Sequence, residues 1–112
     1  MSFDLAFWYS KDPVDASTAL EIYRSILDEA SDVVAPNSAV GDFLADVVKV
    51  FPDLTEENMD NSPWMSPLYY SDAYVVASIS WSRQQVMARA LTALARKHGL
   101  VCYDPQAEAV IS

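Results

Sequence analysis

A single α+β domain is what three features of this chain predict. Two apolar runs of strand length, residues 3–9 and 74–81, lie far apart in the sequence. Three stretches repeat apolar residues at helical spacing between and after them. The length of 112 residues, 52% apolar and 21% charged, suits one buried core and excludes a disordered chain.

Residues 3–9 are aromatic and apolar, with one acid near the start, and read as a buried strand. Lys11-Asp12-Pro13 breaks it. Asp15 or Thr18 then caps a helix, and Thr18-x-x-Glu21 has the form of a capping box. Leu20, Tyr23, Ile26, Leu27 and Ala30 form its stripe, which fades near Ser31-Asp32 and well before Pro36. A second helix starts after Asn37 or Ser38. Val40, Phe43, Leu44, Val47, Val48 and Phe51 give it the cleanest stripe in the chain, and Pro52 ends it. Its polar face carries Asp42, Asp46 and Lys49.

Residues 53–67 are the longest irregular stretch, and a loop of that length in a small domain signals function or mobility. Residues 68–70 and 74–81 read as two strands joined by a turn at Ser71-Asp72. Val75, Ala77, Ile79 and Trp81 share one face of the second strand; Tyr74, Val76, Ser78 and Ser80 share the other. Ser82, boxed by Gln85, is the predicted cap of a third helix with Met87, Ala90, Leu91, Leu94 and Ala95 inward. Arg96-Lys97-His98 suit the negative end of that helix, and Gly99 signals its stop. Residues 100–103 form a final strand ended by Asp104-Pro105, and the tail either adds a short edge strand or stays loose. The order is therefore β-α-α-β-β-α-β. Without one helix this is the split β-α-β pattern of ferredoxin-like domains, a four-stranded antiparallel sheet with its helices packed on one face. The first and third strands would be central, and the open face would meet a ligand, a partner protein or a second copy.

Sixteen acids stand against seven bases, a net charge of −9. Neutralising phosphates needs Lys and Arg, so neither nucleic acid nor an anionic membrane is an expected partner. Residues 1–72 hold 14 of the acids and only Lys11, Arg24 and Lys49. A field of that sign steers a basic protein or a cationic ligand to one side, and it also keeps a small domain soluble. Met1-Ser2-Phe3-Asp4 has no positive n-region, and no apolar run approaches the ~20 residues of a membrane helix. With the lone Cys102 in the apolar run 100–103, the expected location is the reducing cytoplasm.

No catalytic set, metal or cofactor is expected. One cysteine forms no internal disulfide or multi-Cys zinc site, and one histidine forms no two-His motif. Two glycines exclude a Gly-rich phosphate cradle, and the acids at Glu56, Glu57 and Asp60 lack the calcium-loop pattern. His98 reads as a helix-end residue, and burial would raise the Cys102 pKa, the wrong direction for a nucleophile. Ser80-Trp81-Ser82 lacks the glycines of a nucleophile elbow.

Two candidate surfaces remain. In the first, Asp42, Asp46, Asp53, Glu56, Glu57 and Asp60 set up an acidic field and Trp64 supplies an apolar anchor, a role Trp favours at interfaces. The competing reading of Trp64 folds it back over the core edge. In the second, Arg83 at the start of the third helix pairs an anionic ligand with that helix's amides, beside Tyr74 and Tyr103.

Ile79-Ser80-Trp81-Ser82-Arg83, then a helix, then His98-Gly99-Leu100-Val101-Cys102-Tyr103-Asp104-Pro105-Gln106, resembles a group of small acidic uncharacterised bacterial proteins. Met1-Ser2-Phe3-Asp4-Leu5-Ala6 and Ser62-Pro63-Trp64 are similar too. In size, charge and lack of a catalytic set, the chain is similar to immunity proteins of bacterial toxin systems. That similarity implies a cytosolic inhibitor that binds a basic toxin domain and occludes its active site. The alternative is a small-molecule-binding or catalytic ferredoxin-like domain, with a homodimer through its sheets.

Overall fold

Residues 5–8, Leu-Ala-Phe-Trp, are apolar on both sides of any pleat they form, and the architecture follows from covering both. In the computed structural model, which describes residues 2–29 and 34–111, they belong to β1 (Ser2–Trp8) and all four are buried. The chain continues through α1 (Ala16–Leu27), α2 (Ser38–Val50), β2 (Tyr69–Tyr70) and β3 (Tyr74–Ser80). A 3-10 turn at Trp81–Arg83 leads into α3 (Gln84–Lys97), followed by β4 (Val101–Asp104) and β5 (Ala109–Ile111). The sheet order is β2-β3-β1-β4-β5, and every neighbouring pair is antiparallel. The α+β class holds. The sheet has five strands rather than four, because the tail turns back at Asp104–Ala109 and pairs with β4.

The helices do not share one face, which corrects the sequence expectation. Phe3, Leu5 and Phe7 point with Val75, Ala77, Ile79 and Cys102 toward α2 and α3. They meet Val40, Phe43 and Val47 of α2 and Met87, Leu91 and Ala95 of α3. The Phe7 and Phe43 rings lie 4.7 Å apart. Burying a side chain of that size contributes about 2–3 kcal/mol, and the α2 stripe read from the sequence is what delivers it. Ala6 and Trp8 point the other way, with Val76 and Tyr103, and pack under Ala19 and Ile26 of α1. A strand with a large aromatic on each face needs a helix on each face.

Local chemistry sets the helix ends. Asp15 caps α1, accepting from the Thr18 N–H at 2.8 Å. Thr18 therefore lies inside the helix, and the Thr18–Glu21 box does not form its start. The Asn37 side chain caps α2 through the Ala39 N–H at 2.9 Å. Ser82 caps nothing: the tight 3-10 turn takes the chain straight off β3, and α3 begins after Arg83 with no side-chain cap. Gly99, at φ +69°, ends α3, with Gly99 N–H on the Arg96 carbonyl and Leu100 N–H on that of Ala95. The expected end of the first stripe, Ala30 with Ser31-Asp32, lies outside the described residues. Among the described residues no helix is long and apolar enough to cross a membrane.

The sheet edges are finished by unusual means. Pro63 and Met65 bond to Ser80 and Ser78, so residues 63–65 extend the β2 side of β3, with Ser66-Pro67 looping out between them and Leu68. On the other side, Pro105 ends β4 before it reaches Asp4. The Gln106 side chain takes its place, accepting from Asp4 N–H and donating to the Asp4 carbonyl at 2.6 and 2.8 Å.

Under α1 the Tyr103 hydroxyl and the Trp8 indole N–H are buried without a hydrogen-bond partner among the described residues. A buried, unpaired polar group costs about 1–3 kcal/mol. Tyr103→Phe keeps the ring contacts with Trp8 and Tyr23 and removes that cost. The expected outcome is a rise in Tm of several degrees, measured by calorimetry; a fall would show that the hydroxyl is paired in solution.

Candidate functional site

The seven residues of the predicted acidic surface divide into three groups. Asp46 is engaged by α3. Its carboxylate accepts from His98 Nε2 at 2.7 Å and from Lys97 Nζ at 3.3 Å. The His98 ring also stands edge-on to Phe43, at 6.3 Å. These contacts clasp α2 to the C-terminal end of α3, where a cation also suits the helix dipole. Asp53 is a loop anchor: its Oδ1 accepts from Leu54 N–H at 2.8 Å and Leu68 N–H at 3.0 Å, closing the ends of the irregular stretch.

Trp64 belongs to the core and is 3% exposed. Its indole N–H donates to the carbonyls of Phe51 and Pro52, and its ring meets Phe51 edge-on. Of its two readings, the structure shows the one in which it folds over the core edge. In this conformation it offers no surface anchor, because the residues that flank it are tied to β3 and turn the ring inward.

Four acids remain outward: Asp42, Glu56, Glu57 and Asp60 are exposed and have no partner among the described residues. Asp42 lies on α2, about 12 Å of helix rise before Val50. The other three crown the turn after α2. That turn is internally braced, with Thr55 and Asn58 exchanging hydrogen bonds and the Asn58 amide on the Asp53 carbonyl. Beside it runs a shallow groove of ≈ 360 Å³ lined by Leu54, Thr55, Glu56, Met59 and Pro67. Met59 is 60% exposed. An apolar floor beside the Glu56 carboxylate suits a long cationic side chain, whose stem lies on the floor while its head meets the acid. Met59 and Leu54 were the readable signal here, two apolar residues set among acids in a loop.

The alternative ligand residues do not converge. Tyr103 is buried beneath α1, and burial pushes its phenol up. Tyr74 opens β3, whereas Arg83 follows its far end, about 20 Å of strand away. Arg83 is exposed beside a smaller cleft of ≈ 220 Å³ with Phe51, Pro63, Ser82, Val86 and Met87. Cys102 is buried and its thiol is pushed up to about 12, chiefly by desolvation. Among the described residues no group of three His, Cys, Asp or Glu side chains is placed to hold a metal ion. No family model, curated protein or solved structure matches the chain.

The clasp has a pH signature. Hydrogen bonds from His98 first, then Lys97, hold the Asp46 carboxyl below its ordinary value of 3.8. A folded-state value below the unfolded one gives stability that is complete above the ordinary value and lost as pH falls through the lower one. Asp46→Asn should therefore lower Tm at about pH 5.5, and the gap from the parent should narrow as pH falls below 3.8. Thermal melts from about pH 5.5 downward check it; a gap that does not narrow below 3.8 would mean that packing, not charge, carries the clasp.

Proposed function

We propose that this chain is a cytosolic protein-binding module of the immunity type, which neutralises a basic toxin domain by covering its active site. The observation that carries this reading is the braced turn after α2. Glu56 lines an apolar groove, Glu57 and Asp60 are exposed on the same turn, and none of the three has an ion-pair partner among the described residues; all lie within residues 1–72, which hold 14 of the 16 acids. A toxin that cleaves nucleic acid must grip phosphates, so its active site is basic and an acidic surface competes for it. The same charge makes nucleic acid and anionic membranes poor partners. Asp42 contributes to the field from α2, and the groove at Met59 takes the anchoring role assigned by sequence to Trp64. The sheet order β2-β3-β1-β4 supports a ferredoxin-like core, enlarged by one helix and one edge strand.

The test begins with capture from a lysate of the source organism at low and moderate salt, read by mass spectrometry. One stoichiometric basic protein, released as salt rises, is the expected result. Reversing Glu56, Glu57 and Asp60 together to Lys should then slow association with it about tenfold or more and flatten its salt dependence. An unchanged association rate would remove this surface from the interface. Capture of nothing at either salt would remove the reading itself.

A further inference from the structure

A second concavity lies between the end of α1 and the β2–β3 hairpin. It measures ≈ 350 Å³, and Tyr69, Tyr74, Glu29 and Asp72 line it, with Val34 and Pro36 on its apolar side. Tyr69 faces Val76 across the ladder, so Tyr69 and Tyr74 are diagonal neighbours on one face of the hairpin. Their ring centroids are 5.5 Å apart and tilted by 38°. The neighbouring Tyr74 phenol is the main reason the Tyr69 phenol is pushed up to about 12, followed by desolvation. The walls are fixed from behind. Ser71 N–H bonds the Tyr74 carbonyl, Ala73 N–H bonds Ser71 Oγ, and Asn37 N–H bonds the Asp72 carbonyl. Glu29 follows the end of α1 in the left-handed region, at φ 59°, and lines the same cavity as Tyr69.

Each part of this lining selects the same chemistry. Aromatic faces attract cations, and guanidinium planes stack on them. Two carboxylates repel anions, and no basic side chain among the described residues lines the cleft to offset them. The apolar side accepts an alkyl stem. We propose that this cleft binds an organic cation, a guanidinium or alkylammonium group stacked on Tyr69 and Tyr74 with its charge toward Glu29 and Asp72. The site uses none of the residues of the acidic groove and does not depend on the toxin-binding reading. Its ligand is either a free small cation or an Arg or Lys side chain of another protein.

The experiment is an NMR titration of the isotope-labelled full chain at constant ionic strength, with no partner present. The probes are agmatine, the capped peptide acetyl-Gly-Arg-Gly-amide and the same peptide with neutral citrulline in place of arginine. Saturable shifts of the Ser71 and Ala73 amides with a cationic probe, and binding at least tenfold weaker with citrulline, are expected. Tighter binding of the peptide assigns the site to a protein side chain, and tighter binding of agmatine to a free cation. The double variant Glu29→Gln, Asp72→Asn should weaken either cation about tenfold. Tyr74→Leu should do the same, while Tyr74→Phe, which keeps the ring, should stay within about threefold. Absence of saturable shifts, equal binding of citrulline, or an unchanged affinity in the double variant would overturn the proposal.

Discussion

The double-sided burial of β1 is the constraint on which the remaining structure depends. Phe7 and Trp8 are adjacent, both buried, and point to opposite faces. One demands α2 and α3; the other demands α1. The chain must therefore change faces between its first two helices. The Asn37–Asp72 hydrogen bond ties the start of α2 to the β2–β3 turn on that path. The same crossing places the end of α1 beside Tyr69 and Tyr74. The aromatic cleft is thus a by-product of how the central strand is covered.

Much of this was legible, and the reasons separate cleanly. The α2 stripe was readable because Val40, Phe43 and Val47 at helical spacing report the inward side of a helix regardless of what it packs on. The alternation of Val75, Ala77 and Ile79 was readable for the same reason in a strand. Periodicity does not say which sheet face receives a helix. The unbroken run at residues 5–8 did carry that information, since continuous rather than alternating apolar residues mark a strand buried on both faces.

The candidate site was harder to read because exposure of a charge is settled by distant residues. Asp46 looks free on a helical wheel, yet His98 and Lys97, some fifty positions later, engage it. Asp53 looks like one more loop acid, but the Leu68 amide turns it into a clamp. Trp64 was ambiguous for a related reason. A tryptophan in an acidic loop faces outward unless backbone pairing turns it in, and here residues 63–65 pair with β3. Of the four acids that remained exposed, Glu56, Glu57 and Asp60 lie on a turn whose bracing is local and within reach of sequence.

The position of Gln106 against Asp4 bears on how the chain is made. That contact spans 102 residues, and among the described residues β1 pairs otherwise only with β3 and β4. During synthesis the most apolar strand therefore leaves the ribosome well before β3 and β4, the neighbours it pairs with. Closing such long loops delays the reward of pairing, so folding of this small domain should be slow for its size. Helices α1 and α2 can shelter β1 only partly before the sheet closes. A nascent chain with Leu5, Phe7 and Trp8 uncovered exposes aggregation-prone surface until β3 and β4 arrive to close the sheet.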